Sequence, residues 1–364
     1  MSNKYFRKLK KTAEQMVIRD GQTIASILVN TPCNAILSML LLPYAGLYCK
    51  EAEEFYGKKV VSPEIDSQIV DLRNSIKVFC GKYNTLEKEF LLSDEEQDEH
   101  FKSLLRFDFT KQMNIHYNLG IYFDNYGHVI GDTQLIGFHL RPVSIGDPDA
   151  NMNALKLGNS IGISVSRLLM LANKTPGNLR LNYNTDFRVG YIDCNSNSAN
   201  APFVYIENKG LNLLMLHLLG ILGTCKYVLR LLLNDNNQWL YRCEYVIYHN
   251  VWTGLRVIKG HFEQDKSSKI DFGYLAELVE RGRGLFPSSY RNCMMHYNLI
   301  HDDKPCILED YYKPDIPLYG LVESCFDGKS TNDYYDALRS YIDDVEEYLN
   351  TWFSFDKASI NWDL

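Results

Sequence analysis

Arg291, Asn292 and His296 are the residues of this chain whose types and spacing best fit a chemical role. An arginine offers a fixed fork of donors to phosphate oxygens and stabilises the negative charge that grows there during a reaction. A histidine titrates near neutral pH, so it can take a proton from a hydroxyl group or hold that group in place. Together the two side chains could cleave RNA through its own 2′-hydroxyl group, with no metal ion and no other cofactor. Asn292 would orient His296 or the substrate.

The segment from Ser289 to Tyr297 resembles the motif of the HEPN superfamily, whose ribonuclease members carry R-x4-6-H, often with a polar residue after the arginine. In that family the motif lies near the start of a late helix of a small helical bundle, and one more long helix follows. Here Pro287 and Ser288 precede the motif, and residues 332–353 form the last predicted helix. The resemblance covers residues 203–355. It implies a metal-independent endoribonuclease, such as a toxin or a defence effector, that acts on RNA.

Helix geometry limits what a single motif helix could do if it runs through His296. With about 3.6 residues per turn, Arg291 and His296 project about 140° apart. One helix would therefore aim the two side chains poorly at one phosphate group. The resemblance implies the family's solution, which is a homodimer that brings two motif helices together in one cleft.

Neighbouring side chains extend the candidate site to a substrate-binding surface. Arg281, Arg283 and His301 would give the cleft a local positive potential, which Asp302 and Asp303 would oppose. Tyr297 would flank the phosphate group. These residues also have ordinary structural explanations, because cations suit the carboxyl end of a helix and tyrosine is common at the surface of a bundle.

Other patterns lead to different interpretations. Two further Arg/His pairs have a similar spacing but no helix start before them, namely Arg242 with His249 and Arg256 with His261. Residues 158–162 match G-x-S-x-G, which in a serine hydrolase places the serine, here Ser160, on a turn between a strand and a helix. The residues before Ser160 make a poor strand. The main alternative is a non-catalytic helical protein that serves dimerisation or partner binding.

Composition and charge restrict the class of protein. Hydrophobic residues make up 46% of the 364 residues and aromatic residues 13%, which is enough for a sizeable core. The formal charge is −7, and residues 201–364 hold all of the excess, with 16 basic and 23 acidic residues. Such a balance argues against tight nonspecific binding of nucleic acid by the C-terminal part. It favours the alternative of a non-catalytic protein that serves dimerisation or partner binding. It leaves room for a small basic site.

The nine cysteines are scattered, and no Cys/His spacing is typical of a zinc site. Their odd number and the lack of a secretion signal predict a cytoplasmic protein. Two apolar runs, 36–49 and 211–233, are read as buried helices, because the first is short and the second contains two cations. We therefore predict no metal, no cofactor and no contact with a membrane.

Hydrophobic periodicity predicts a mainly α fold of the α+β type in two parts. Residues 1–200 form a helical region with a small antiparallel β element, in which residues 115–123, 129–140 and 179–194 are extended and residues 153–172 are helical. A polar linker at residues 195–201 separates it from a helical bundle within residues 201–364, whose predicted helices include residues 238–262 and 289–301. The role of the first part is unknown; it would sense a trigger, recruit substrate or restrain activity, and a regulatory partner is unidentified.

Overall fold

The computed structural model describes residues 3–30, 35–105, 116–139, 150–177, 179, 181–182, 187–263 and 272–362. Within these ranges the chain forms twelve helices, which hold 67% of the residues, and a small antiparallel sheet. The prediction of a mainly α fold is therefore confirmed.

Four helices open the chain. Pro63 occupies the first helical position after Ser62, where its missing N–H group costs no hydrogen bond. A short 3-10 turn at Val78–Cys80 joins the third helix to the fourth, and Lys77 precedes this turn. The helices are α1 (Asn3–Asn30), α2 (Ala35–Tyr56), α3 (Pro63–Ser75) and α4 (Tyr83–Ser103).

A three-stranded antiparallel sheet follows, in the order β2-β1-β3. Its strands are β1 (Leu119–Phe123), β2 (Val129–Asp132) and β3 (Gly190–Cys194). The predicted turn between β1 and β2 is present, with Gly127 at a positive φ of 76°. Extended backbone up to residue 140 was a wrong prediction. Asp132 Oδ1 accepts a hydrogen bond from the Leu135 N–H group at 2.9 Å and starts a helix, α5 (Thr133–His139).

The predicted extended segment 179–194 is assessed in part, because residues 180 and 183–186 lie outside the described ranges. Within the described residues, β3 is its only strand. The prediction that residues 153–172 are helical is met by α6 (Ala150–Leu171).

The C-terminal part consists of helices joined by short loops and one small hairpin. The first of these helices, α7, runs over Lys209–Gly223 and continues through a π-helical turn, Thr224–Leu229, to Leu232. The remaining elements are α8 (Gln238–Phe262), α9 (Gly273–Gly282), α10 (Ser288–Met295), β4 (Ile300–His301), β5 (Lys304–Pro305), α11 (Leu321–Cys325) and α12 (Thr331–Asn350).

Helix α7 is the centre of the core. Every residue from Gly210 to Gly223 is buried, and the helix packs against β2, α4, α8 and α12. Among the described helices, the segment Lys209–Leu232 is the one long and apolar enough to cross a membrane, and 89% of its apolar window is buried within the fold. Burial on all sides is typical of the central helix of a protein core.

Contacts cross the predicted boundary near residue 200. Buried Asp20 on α1 pairs with Arg242 on α8 at 2.8 Å, and the Tyr5 hydroxyl donates to the Ile307 carbonyl at 2.8 Å. Tyr191 in β3 forms an antiparallel bridge with Asn361. The segments before and after residue 200 therefore contribute to one hydrophobic cluster within the described ranges.

Gly223 is expected to be required by the contact between α7 and β2. A Cβ atom at this position would lie 1.8 Å from the Val129 carbonyl oxygen, and backbone cannot yield easily. Gly223→Ala should lower the free energy of unfolding by about 1–3 kcal/mol. Gly158→Ala, in α6 where a Cβ meets nothing within 4 Å, should raise it by roughly 0.5–1 kcal/mol. Urea denaturation measures both values, and equal effects would contradict the explanation.

Candidate active site

The motif helix α10 is fixed by buried side chains at both of its ends. Near its start, the Tyr290 hydroxyl bonds to the Tyr335 hydroxyl at 2.9 Å, and both rings are fully buried. At its end, Arg242 donates from Nη1 to the carbonyl oxygens of Cys293 at 3.1 Å and Met294 at 2.5 Å. The last carbonyl groups of a helix have no partner within it, and the guanidinium group supplies one. Its positive charge also interacts favourably with the negative end of the helix dipole.

His296 lies just beyond the helix rather than on it. Helix α10 ends at Met295, and His296 is the C-cap with extended backbone angles of −127° and 157°. Its N–H group still donates to the Asn292 carbonyl oxygen at 2.9 Å. The projection of about 140° that a continuous helix predicts between Arg291 and His296 is therefore wrong. The direction of the His296 side chain is set by the chain leaving the helix.

A buried carboxylate holds the His296 ring in place. Nδ1 of His296 lies 2.5 Å from Oε2 of Glu51 on α2, and Oε1 of Glu51 accepts from Arg73 on α3 at 2.7 Å. The Glu51 side chain is 3% exposed, whereas that of His296 is 38% exposed. Because a carboxylate only accepts hydrogen bonds, Nδ1 carries the proton in the neutral ring and Nε2 keeps its lone pair. This arrangement orients a histidine for proton transfer at Nε2.

Positive charges gather around Arg291. Burial lowers the pKa of Lys77, and the nearby charges of Arg73 and Arg291 lower it further, against the opposite effect of Glu51. Burial, followed by the charges of Arg291 and Arg256, also lowers the pKa of His249 to about 4. Within the described residues, the buried Nε of Arg291 has no hydrogen-bond partner. Cations from α3, α8 and α10 thus meet here, which suits the binding of a phosphate group.

His296 also borders a cleft of about 550 Å³. Apolar side chains form much of its wall, while Lys10, Glu51 and Glu54 add charge. Another described cleft, of about 690 Å³, is lined by residues such as Arg19 and Asp315 and by none of the motif residues. The first cleft is lined by Leu9, Lys10, Ala13, Glu51, Glu54, Phe55, His296, Tyr297, Asn298, Leu299 and Ile300.

The acidic side of this cleft offers donors for a cation. One donor atom each from Glu51, Glu54 and His296 lie within 4.8 Å of one another. Two carboxylates and an imidazole are ligands that divalent metals accept. The same three side chains therefore permit a metal-dependent reaction as well as the metal-free one that the sequence suggests. The two reactions differ in the role of Glu54. A metal ion would use its carboxylate as a ligand, whereas Glu54 takes no part in the hydrogen bond between Glu51 and His296.

The other predicted site residues take different places. Asn292 caps the turn through its carbonyl group, as described, and its half-buried side chain lies on the motif helix. Tyr297 is 4% exposed and belongs to the core, where its hydroxyl donates to Asp20 at 2.7 Å and the Arg242 guanidinium lies 4.3 Å from its ring centre. Its hydroxyl is thus occupied within the protein, although part of the side chain lines the cleft of His296.

The structure pairs Arg281 and Arg283 with carboxylates rather than with the motif. Arg281 bonds to Asp344 on α12, and Arg283, just after α9, lies 3.1 Å from Glu280 in the last turn of that helix. Both pairs are largely exposed. Neutralised surface cations of this kind add little to the potential at the motif.

The alternative catalytic patterns find no support in the fold. Ser160 lies inside α6, where its carbonyl oxygen accepts from the Ser164 hydroxyl, so no strand leads into it. Arg242 is buried against Asp20, and His261 stacks on Tyr83 with ring centres 4.1 Å apart. His249 is the exception, because the charge of Arg291 acts on it in addition to that of Arg256 on its own helix.

Glu51, Arg73, Lys77 and His249 are site residues that sequence reasoning missed. Arg73 with Asn74 does repeat the Arg-Asn pair of the motif, but no histidine follows it at a suitable spacing. Glu51 carries no local signal, because its partner is 245 residues away.

Comparisons with protein-family models, with curated proteins and with solved structures gave no match.

Proposed function

We propose that this protein is a metal-independent endoribonuclease of HEPN type, in which Arg291 binds phosphate and His296 acts on the 2′-hydroxyl group. The observation that carries the proposal is the pairing of His296 with buried Glu51, beside the cations of Arg73, Lys77 and Arg291. An oriented imidazole near cations that can bind a phosphate group is what cleavage of RNA by its own hydroxyl group requires.

The reaction would proceed as an internal displacement. Nε2 of His296 takes the proton of the 2′-hydroxyl group, and the freed oxygen attacks the adjacent phosphorus atom. The bond from phosphorus to the 5′ oxygen breaks, and that oxygen is protonated by water. The products are a 2′,3′-cyclic phosphate and a 5′-hydroxyl end. Glu51 stabilises the imidazolium that forms, while Arg291 and Lys77 stabilise the charge on the phosphate oxygens.

A homodimer is part of the HEPN resemblance, but the proposal does not depend on it. Glu51 and Arg73 come from the same chain as His296, so one copy already places an acid–base group near cations. A second copy would add a second motif helix to the cleft. A cytoplasmic toxin or defence effector remains the setting that the resemblance suggests.

A non-catalytic interaction protein is the second candidate, and α6 carries the observation in its favour. Met152, Leu155, Ile163 and Met170 are between 52% and 69% exposed. Their spacing places them along one side of the helix, where a partner could cover them. In that case the motif residues would serve only to hold α10 in place.

Cleavage of a mixed RNA pool by the purified protein in EDTA tests the proposal. We expect fragments with 2′,3′-cyclic phosphate ends. Arg291→Ala should lower the rate of cleavage by at least about 10²-fold. Arg188→Ala, a change at an exposed arginine near β3, should keep the wild-type rate and serves as the control.

Two results would count against the proposal. Cleavage that appears only after Mg²⁺ is added would assign the reaction to a metal held by Glu51, Glu54 and His296. No cleavage by the wild type in either buffer would favour the interaction protein instead.

A further inference from the structure

Three side chains, one on the motif helix and two in the hairpin that follows it, lie close together in the structure. One donor atom each from Cys293, His301 and Cys306 lie within 4.8 Å of one another. Cys293 lies on α10, two residues after Arg291, whereas His301 ends β4 and Cys306 follows β5. None of these three residues takes part in the proposed reaction.

The small hairpin presents two of these donors together. His301 pairs with Lys304 and Ile300 with Pro305, and the Cys306 N–H group donates to the Leu299 carbonyl at 2.9 Å. Asp302 and Asp303, with φ of 49° and 57°, form the tight turn between the strands. Because side chains alternate along a strand, residues 301 and 306 lie on the same face of the hairpin. That face meets Cys293.

One buried nitrogen atom of this cluster is unpaired among the described residues. Nε2 of His301 is buried, yet it has no hydrogen-bond partner within the described part of the chain. Buried nitrogen atoms of this kind are rare, because leaving one unpaired is costly. The thiols of Cys293 and Cys306 contact each other, and the His301 backbone N–H group donates to the Cys306 sulfur. Cysteine sulfur is a preferred ligand of zinc.

A third sulfur lies close by. Cys325 on α11 lies near enough to Cys306 for their charges to interact, and the Ser289 hydroxyl bonds to the Cys325 sulfur. Cys325 is outside the group of three but adjoins it. Soft sulfur donors with one imidazole are ligands of tetrahedral zinc sites, in which three or four protein groups bind the ion and water takes any position left open.

We propose that Cys293, His301 and Cys306 bind one Zn²⁺ ion that fastens the β4–β5 hairpin to the motif helix. The ion would give Nε2 of His301 the partner that it lacks. A disulfide between Cys293 and Cys306 would use both sulfurs and leave this nitrogen unpaired, so the observations favour the metal. The site is structural. It would attach to α10 at Cys293, between Arg291 and His296, and none of its three residues lines the cleft of His296.

The zinc content of the full-length protein, purified under reducing conditions, tests this inference. We expect about one zinc ion per chain by elemental mass spectrometry, and its loss in Cys306→Ser and His301→Asn. Cys80→Ser, a change at an exposed cysteine, should keep the ion. Circular dichroism shows whether each variant is folded. If one is not, Co²⁺ added to metal-free wild type gives a second readout, because thiolate ligands produce a charge-transfer absorption band.

The inference is overturned if the reduced wild type contains no zinc and shows no such band with Co²⁺. It is also overturned if mass mapping finds Cys293 and Cys306 joined in a disulfide in freshly prepared protein, or if the folded variants keep their zinc. The readouts are metal content and absorption, so failure here leaves the ribonuclease proposal untouched.

Discussion

His296→Ala should lower the rate of RNA cleavage by about 10²- to 10⁴-fold, which is the usual contribution of a general base. Glu51→Gln should cause a smaller loss, because the amide still fills the space but no longer stabilises the imidazolium or selects the proton position on Nδ1. Single-turnover rates at saturating RNA measure both effects. The melting temperature of each variant shows whether Arg73, left beside a neutral side chain, disturbs the fold.

Glu54→Gln is the matched control for Glu51→Gln. The two glutamates lie three residues apart on α2 and line the same cleft, but Glu51 alone forms the hydrogen bond to His296. In the metal-free reaction, Glu54→Gln keeps nearly the wild-type rate. If it loses as much activity as Glu51→Gln, the two carboxylates act together on a cation. If His296→Ala cleaves as fast as the wild type, the proposed active site is wrong.

Arg242→Met should lower the free energy of unfolding by about 3–5 kcal/mol at neutral pH, the range for breaking a buried ion pair. The change leaves Asp20 buried without its cation, although Tyr297 and Gln238 still donate to it. It also removes the donor for the last carbonyl groups of α10. Urea denaturation measures the loss. Arg283→Met, at an arginine whose side chain is 74% exposed, should change stability by less than about 1 kcal/mol.

The loss in Arg242→Met should depend on pH in a defined direction. Burial already raises the pKa of Asp20, and Arg242 is the strongest opposing influence, so its removal raises that pKa further. When a group has a raised pKa in the folded state, its contribution to stability is fully present below its unfolded pKa, which is near 3.8 for an aspartate. That contribution is lost as the pH rises through the pKa of the folded state. The variant should therefore lose least in acid. A loss that is equal at pH 4 and pH 7 would show that the charge of Asp20 is not its cause.

Local patterns predicted most of the helices, because the apolar residues of each helix recur every three or four residues within one short segment. The helix at residues 238–262 has the predicted bounds, and Ser330 caps the last helix through its hydroxyl, which accepts from Asp333 N–H. The prediction of extended backbone beyond Asp132 is wrong, because Asp132 caps a helix that the apolar alternation does not show. A single capping carboxylate outweighed the periodicity there.

The candidate site was predicted in part, and the missing part depends on distant partners. Arg291 and His296 could be found from their spacing, whereas the end of the helix at Met295 depends on Arg242, which is far from it in sequence. Glu51 lies in an apolar helix with no local sign of function. The cluster of Cys293, His301 and Cys306 has no zinc-like spacing, because a hairpin and a helix bring its members together.

The pairing of Glu51 with His296 also determines when the site can exist during synthesis. These residues are 245 positions apart, and Asp20 and Arg242 are 222 apart. Contacts between such distant segments form late, because closing long loops carries an entropic cost. While the chain emerges from the ribosome, α1 and α2 must wait for α8 and α10 before either pair can form. A nascent chain is thus without its oriented histidine until His296 has been made and has reached Glu51.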